Sequence, residues 1–110
     1  MARKISIKPL SVNEVWRGRR FKTPSYEKYE RDVLIQLKAM SIPDGSLDVT
    51  LKAGLSNKGA DIDNIAKPFI DILQKAYGFN DSQIYKLTLI KDHVKKGQEY
   101  VEYSINKLYI

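Results

Sequence analysis

The stretch GADIDNIAKP, residues 59–68, places two aspartates one residue apart and follows them with an asparagine and a lysine. Carboxylate oxygens are ligands that Mg²⁺ favours, and a magnesium ion held by them can activate a water and stabilise the leaving oxygen of a phosphodiester. Asp61 and Asp63 are close enough in sequence to converge on one such ion. Lys67, one helical turn beyond Asp63, would face the same spot and either contact the scissile phosphate or balance charge. This pattern predicts metal-assisted cleavage of a phosphodiester.

A purely structural role explains part of the same pattern. Asp61 is a suitable N-cap residue, and Asp63 in the first turn would interact favourably with the positive end of a helix dipole. Charges of alternating sign then recur every four residues, and each such pair stabilises a helix by ~0.2–0.5 kcal/mol. We favour this explanation for Asp71 and Lys75. Only one residue can cap a helix, however, and neighbouring carboxylates repel each other unless a positive group lies between them, so the first two aspartates favour a metal site.

A third candidate carboxylate, Asp81, lies in the segment GFNDSQIY, after the expected end of a helix and before an expected strand. Its local alternative is to cap a turn. The apolar face of the helix returns the chain to the sheet, where Asp81 would approach Asp61 and Asp63. Asp81 is therefore a candidate third carboxylate, and the sequence alone leaves the convergence of the three carboxylates open.

Length and composition place these residues in one domain, residues 1–110. Of the 110 residues, 43% are hydrophobic and 29% are charged, as expected for an ordinary globular domain. Cysteine is absent, which excludes disulfides and thiolate-bound zinc and agrees with a reducing cytoplasm. No apolar run is long enough for a signal peptide or a membrane span, so we expect a cytoplasmic protein without a membrane partner.

Hydrophobic periodicity predicts an α+β fold in which two helices pack on a small mixed sheet. The expected order is strand, helix, strand, helix, strand, strand, with the strands around residues 5–7, 47–51, 85–89 and 101–105. Residues 9–25 have no clean period and are predicted to form a loop.

The two helices carry recognisable boundary signals. Thr23 followed by Pro24 predicts the start of the first helix, which we expect to run to about Met40. The second helix is indicated by an apolar stripe from Ile62 to Ala76 and by Gly78 as its terminator. Pro68 should either kink this second helix or mark where its regular part begins.

Positive charge is concentrated in the first third of the chain. Residues 1–38 contain ten Lys or Arg against four acids, whereas residues 61–81 contain four Asp against two Lys, within a formal net charge of +6. This distribution suits a binder of the phosphate backbone with an embedded cation site, although many small basic proteins bind no nucleic acid. Trp16 either contacts an exposed base or covers the core, and for Phe21 we favour a place over the core. The candidate phosphate contacts in the same basic loop are Arg17, Arg19, Arg20 and Lys22.

Several short motifs at fixed spacing resemble the RusA family of Holliday junction resolvases. The block D-x-D-N-x-x-K spans residues 61–67, and further family elements follow it at Phe69, Gly78, Asp81, Gln83 and Ile84. The F-D-x-L element is longer by one residue and appears as FIDIL over residues 69–73. The opening KPLSVNEVWR keeps one of the paired prolines and one of the paired asparagines seen in the family, at Pro9 and Asn13. The resemblance covers most of the chain.

The resemblance implies a homodimeric endonuclease that binds four-way DNA junctions and nicks two strands of like polarity with magnesium as its metal, or manganese in its place. It implies metal-site carboxylates at Asp61, Asp63 and Asp81 and a catalytic lysine at Lys67. A two-fold dimer suits this activity because one acid cluster makes one cut, whereas a junction needs two symmetric cuts. The basic loop and the family motifs together predict these DNA contacts: Asn13, Trp16, Arg17, Arg19, Arg20, Lys22 and Asn64.

Two other functions fit parts of the pattern. A non-catalytic junction- or DNA-binding protein of the same fold would bind DNA in a salt-sensitive manner that is indifferent to magnesium. The four charged residues of the predicted site argue against this alternative, because a protein without catalysis has no reason to keep like charges together. A sugar-nucleotide transferase with a D-x-D motif is excluded by size, since one small domain has no room for donor and acceptor sites.

Overall fold

The computed structural model describes residues 2–17 and 21–109, without the side chains of residues 16, 17 and 21. This part of the chain contains six strands and two α-helices. Two short 3-10 helices, Val12–Glu14 and Asp81–Gln83, complete these elements. The strands and helices in chain order are β1 (Arg3–Ser6), β2 (Trp16–Arg17), β3 (Phe21–Lys22), α1 (Pro24–Gln36), β4 (Leu47–Leu55), α2 (Ile62–Tyr77), β5 (Ile84–His93) and β6 (Tyr100–Lys107).

Four of the strands form one mixed sheet in the order β1-β6-β4-β5. The β1–β6 and β4–β6 pairs are antiparallel, whereas β4 and β5 are parallel and are connected through α2. A parallel pair needs such a crossover because a tight hairpin can join only antiparallel strands. The predicted α+β class and the order of the main elements are confirmed.

The core lies between the sheet and the two helices. Along β4, Leu47, Val49 and Leu51 are buried and alternate with half-buried polar residues, which is the period of a strand covered on one face. Phe69 of α2 is fully buried and packs against Tyr103 of β6, with the ring centroids 5.7 Å apart. The apolar stripe predicted for the second helix is therefore the face that packs on the sheet.

Helix α1 begins where the sequence predicts and ends four residues early. The Thr23 hydroxyl oxygen accepts a hydrogen bond from the backbone N–H of Tyr26 at 3.1 Å, and Pro24 is the first helical residue. The predicted continuation to Met40 is wrong, because Leu37 has an extended backbone and ends the helix. The Tyr77 hydroxyl donates a hydrogen bond to the Lys38 carbonyl at 2.8 Å, a tertiary contact that replaces the helical partner of that carbonyl.

The segment predicted as a loop, residues 9–25, contains more regular structure than its sequence indicates. Ser11 caps the first 3-10 helix by accepting a hydrogen bond from the Asn13 N–H, and β2 and β3 pair as a two-stranded antiparallel ribbon. Strands of two residues are too short to show an alternating hydrophobic pattern, which is why periodicity did not predict them.

Helix α2 continues through Pro68, which is a buried residue inside the helix. The regular helix begins at Ile62, so the expectation that Pro68 marks its start is wrong. Proline has no N–H, and the carbonyl of Asn64 therefore lacks its usual helical donor. The helix ends as predicted at Gly78, which has a positive φ of 75° and donates its N–H to the carbonyl of Gln74 at 2.8 Å.

Among the described residues, no helix is long and apolar enough to cross a membrane.

Candidate active site

The first turn of α2 is fixed by apolar contacts to the end of β4. Ile65 is buried against Ala53 and Leu55, and Ile62 packs against the same small cluster. This arrangement orients the intervening polar residues away from the core, and both Asp61 and Asp63 are exposed. The hydrophobic period of the helix thus positions the two acids of the D-x-D motif at the surface, next to the carboxyl end of β4.

Asp61 occupies the N-cap position of α2 without acting as a hydrogen-bonding cap. Its backbone is extended, as at an ordinary N-cap, but its side chain accepts no hydrogen bond from the helix. At the equivalent position of α1, the Thr23 side chain makes that bond. The structural role considered for Asp61 is therefore absent, and its carboxylate oxygens are not engaged by the first turn of the helix.

Lys67 connects α2 with the segment that follows it. Its Nζ lies 3.0 Å from Oδ1 of Asp71 and 3.9 Å from Oδ2 of Asp81. The backbone N–H of Asp81 donates to the side-chain oxygen of Gln74 at 2.8 Å, which holds Asp81 against the exposed side of α2. The fold thus brings two separate parts of the predicted site, Lys67 and Asp81, next to each other.

The predicted ladder of charges on α2 is only partly formed. The Lys67–Asp71 pair is present, but Lys75 pairs with Glu30 of α1 at 3.0 Å. Partial burial acts to raise the pKa of Glu30, but the hydrogen bonds from Lys75 and Tyr26 outweigh it, and the pKa lies below its ordinary value. Lys75 therefore links the two helices, which the periodicity of a single helix does not predict.

The three aspartates lie on two segments. Asp61 and Asp63 are at the amino end of α2, whereas Asp81 follows the helix and lies beside Gln74 and Lys67 on its exposed side. Within the described residues, no three His, Cys, Asp or Glu side chains are arranged to hold a metal ion. The convergence of Asp61, Asp63 and Asp81 therefore stays a prediction. In chemical type the set fits a hard cation, because it consists of exposed carboxylates and Asp61 makes no capping bond.

A groove of about 390 Å³ opens beside Asp61. This groove, called the Asp61 groove below, is lined by parts of segment 8–14, segment 55–61, the first turn of α2 and Glu99. Two predicted DNA contacts meet there: Asn13, which is exposed in the first 3-10 helix, and Asn64, which is half-buried in α2. The groove thus joins the amino-terminal segment to the D-x-D motif.

Hydrogen bonds hold the walls of the Asp61 groove in place. The Ser56 hydroxyl and the Gly97 N–H donate to the Glu99 carboxylate at 2.7 and 2.8 Å. The hydrogen bond from Ser56 is the main reason why the pKa of Glu99 lies below its ordinary value. Further along the 55–61 segment, the carbonyls of Lys58 and Ala60 accept hydrogen bonds from Lys91 Nζ, each at 2.6 Å. These contacts fix the segment that leads into Asp61.

The remaining predicted DNA contacts lie in and around the β2–β3 ribbon. Lys22 in β3 places its Nζ 4.4 Å from the centroid of the Tyr26 ring, a cation–π contact with α1. Trp16 and Arg17 form β2, and their side chains lie outside the description. The predictions for Arg19 and Arg20 fall on residues outside the described ranges. Tyr26 and Tyr29 are buried and belong to the core, as their helical spacing predicts.

Sequence reasoning missed part of the site because its residues come from distant segments. Ser56, Lys91 and Glu99 carry no local motif, and each becomes relevant only when the sheet brings the ends of β4, β5 and β6 together. The one available signal was that these polar residues lie near strand ends: Ser56 follows β4, Lys91 is close to the end of β5, and Glu99 precedes β6.

With this geometry established, comparison with known proteins supplies the family. Residues 8–105 match a protein-family model described as endodeoxyribonuclease RusA. The chain belongs to the RusA endodeoxyribonuclease family. The match spans most of the chain, and every predicted catalytic residue of this RusA family member lies within it. None of the curated proteins compared with the chain matches it.

Proposed function

We propose that the protein is a magnesium-dependent endonuclease that binds four-way DNA junctions and resolves them by paired symmetric nicks. The observation that carries the proposal is the 3.9 Å approach of Lys67 to Asp81, because it joins the D-x-D-N-x-x-K block to the third acid of the motif set. Membership of an endodeoxyribonuclease family supports the reaction class.

The chemistry assigned to the site follows from the donor types. Asp61, Asp63 and Asp81 would hold the cation, with Mn²⁺ as a substitute. A bound magnesium supplies Lewis-acid activation of a water and of the phosphodiester. Lys67 is exposed and long enough to exchange its partner Asp71 for a non-bridging phosphate oxygen, to which its ammonium would donate a charge-assisted hydrogen bond. Because the ion pairs of Lys67 are exposed, each stabilises the fold by only ~0.2–1 kcal/mol, so the exchange costs little.

Paired nicks require two sites related by symmetry, and we propose that a two-fold homodimer provides them. Among the described residues, no three acids are arranged to hold a metal ion. Gathering Asp61, Asp63 and Asp81 around one cation therefore requires a rearrangement of their side chains or of the 78–83 segment, or an acid from a second copy.

The decisive experiment compares a mobile four-way junction with linear duplex of the same sequence, with and without magnesium. The wild-type protein should nick the junction in pairs only with magnesium and leave the duplex intact. Asp63→Asn should abolish cutting but retain binding, because loss of an acid lowers repulsion of DNA. Asp44→Asn, at an exposed turn position far in sequence from the motif, is the matched control and should cut normally.

Other outcomes separate the alternatives. Equal cutting of duplex and junction would indicate a general nuclease. Junction binding that is salt-sensitive, indifferent to magnesium and never followed by cutting would indicate the non-catalytic DNA-binding alternative.

A further inference from the structure

The Asp61 groove has the size and the polarity of a binding site for a small polar molecule. Its volume of about 390 Å³ falls within the ~300–1,000 Å³ typical of ligand pockets. Its walls come from three separate parts of the chain and are held by hydrogen bonds, so the groove is formed before a ligand arrives. Ser11 accepts from the Asn13 N–H at 3.3 Å, and the Asn57 side-chain oxygen accepts from the Gly59 N–H at 2.9 Å.

The charges of the groove distinguish between the parts of a nucleotide. The lining contains Lys8 and the carboxylates of Glu14, Asp61 and Glu99. Even with Asp61 engaged by the cation, Glu14 and Glu99 outnumber Lys8, and this excess of negative charge would repel a phosphate from the interior. The amino groups of a nucleobase would be attracted, because a carboxylate accepts hydrogen bonds from such groups.

Two amide side chains add the complementary donors and acceptors. Asn13 and Asn64 both line the groove, and each amide offers a carbonyl oxygen and an NH₂ group. Asparagine pairs with base edges through this combination. Asn64 lies one residue after Asp63, so a base bound there would be directly adjacent to the predicted site of cleavage.

We propose that the Asp61 groove binds one unstacked nucleobase of the DNA, next to the phosphodiester that is cut, and favours bases that carry an exocyclic amino group over thymine. The inference rests on the proposed junction endonuclease function for its biological setting. The groove contacts the base, and the phosphates stay at its rim near the cation site. Unstacking is least costly where base pairing is already interrupted, as at the crossover of a junction.

The first test uses single nucleotides and needs no cutting activity. The ¹⁵N-labelled protein is titrated with each of the four deoxynucleoside 5′-monophosphates while its backbone and side-chain amide resonances are followed. The largest shifts should map to Asn13, Asn57 and Asn64, and thymidylate should bind at least about threefold more weakly than the other three. Shifts confined to surfaces elsewhere, or equal affinity for all four, would overturn the assignment.

Matched variants show whether the amide itself recognises the base. Asn13→Ala should weaken binding by about threefold to tenfold, as expected for loss of one or two hydrogen bonds, and should keep the wild-type spectrum elsewhere. Asn106→Ala, at an exposed position of β6 outside the groove, should bind like wild type. Equal behaviour of the two variants would contradict the role of Asn13.

A second test places the base in its DNA context. A set of four-way junctions carries 2-aminopurine at successive positions near the crossover, and the fluorescence of this base rises on unstacking. Binding is measured in EDTA so that no cutting occurs. One position should brighten severalfold with wild-type protein and with Asn106→Ala, and less with Asn13→Ala. Magnesium-dependent cutting without brightening at any position would overturn the groove proposal and leave the endonuclease function intact. Nucleotide-induced shifts confined to the groove, without any junction cutting, would support the groove proposal and overturn the endonuclease function.

Discussion

The two ends of helix α2 are built differently. At the carboxyl end, Gly78 closes the helix in a left-handed conformation, with its N–H bonded to the Gln74 carbonyl. The Gln74 side chain accepts from Asp81, and Asn80 and Gln83 form a reciprocal capping box. At the amino end, Asp61 occupies the cap position without a capping bond.

This difference indicates which end serves the fold and which serves a ligand. Apart from the Asp81 carboxylate, the polar groups at the carboxyl end are used within the protein, so their substitution should mainly change stability. The carboxylates at the amino end are exposed and adjoin the Asp61 groove, so their substitution should change activity.

Asp61→Asn should separate activity from stability at the amino end. Junction cutting should fall by at least ~10²-fold, because an uncharged amide is a poor ligand for a hard cation. The free energy of unfolding should change by less than about 1 kcal/mol, since only the interaction with the helix dipole is lost. Single-turnover cutting and urea denaturation measure the two effects. The proposed division would be contradicted if the free energy of unfolding fell by more than the activation free energy of cutting rose.

Gly78→Ala should have the opposite outcome at the carboxyl end. A Cβ at a φ of 75° is strained, and the substitution should destabilise the protein by about 1 kcal/mol while cutting well below the melting temperature is retained. Gly59→Ala is the control, because Gly59 has no positive φ and its added Cβ would lie 3.4 Å from Asn57 Oδ1. Thermal denaturation of both variants measures the difference. A cutting defect in folded Gly78→Ala protein would show that the two ends are not independent.

Asn80→Ala tests the capping box next to Asp81. Loss of the side-chain oxygen that accepts from the Ser82 N–H should destabilise the protein by ~0.5–1 kcal/mol. Because Asp81 is held partly by this box, cutting should also fall, but by less than in Asp61→Asn. Normal cutting in this variant would mean that the Gln74 contact alone positions Asp81.

The pH dependence of stability sharpens the comparison, because one carboxylate near the amino end does serve the fold. The pKa of Glu99 is lowered mainly by the hydrogen bond from Ser56, so this bond stabilises the protein above the ordinary Glu value of 4.5 and the stabilisation is lost as pH falls below it. Ser56→Ala should therefore be less stable than wild type at pH 7, and the difference should shrink as the pH is lowered below 4.5. Urea denaturation of both proteins at a series of pH values measures this difference in stability. A difference that does not change with pH would mean that Ser56 stabilises the protein through packing and not through the Glu99 carboxylate.

The parts of the fold that follow from local patterns were predictable from the sequence. Helix α2 has a continuous apolar stripe and a glycine terminator, and the alternation in β4 predicts its buried face. The end of α1 was not predictable, because the Lys38 carbonyl takes its hydrogen bond from Tyr77 in another element. The short β2–β3 ribbon offers too few residues for any period to appear.

The candidate site shows the same limit. The acids and Lys67 are recognisable because they lie in compact motifs, whereas the 3.9 Å contact between Lys67 and Asp81 depends on how the chain turns after α2. Glu99, Ser56 and Lys91 have no motif at all. Their contribution depends on the register in which the strands pair. Sequence periodicity predicts which residues of a strand share a face, but it does not predict this register.

Pro68 has a consequence for the motion of the acidic end. The missing N–H removes the hydrogen bond to the Asn64 carbonyl, between the first turn of α2 and the rest of the helix. Amide protons of residues 65–67 should consequently exchange with solvent sooner than those from Phe69 onward. The aspartate-bearing turn thus has one backbone bond fewer to the body of the helix, and its place beside β4 depends more on the contacts of Ile65 with Ala53 and Leu55.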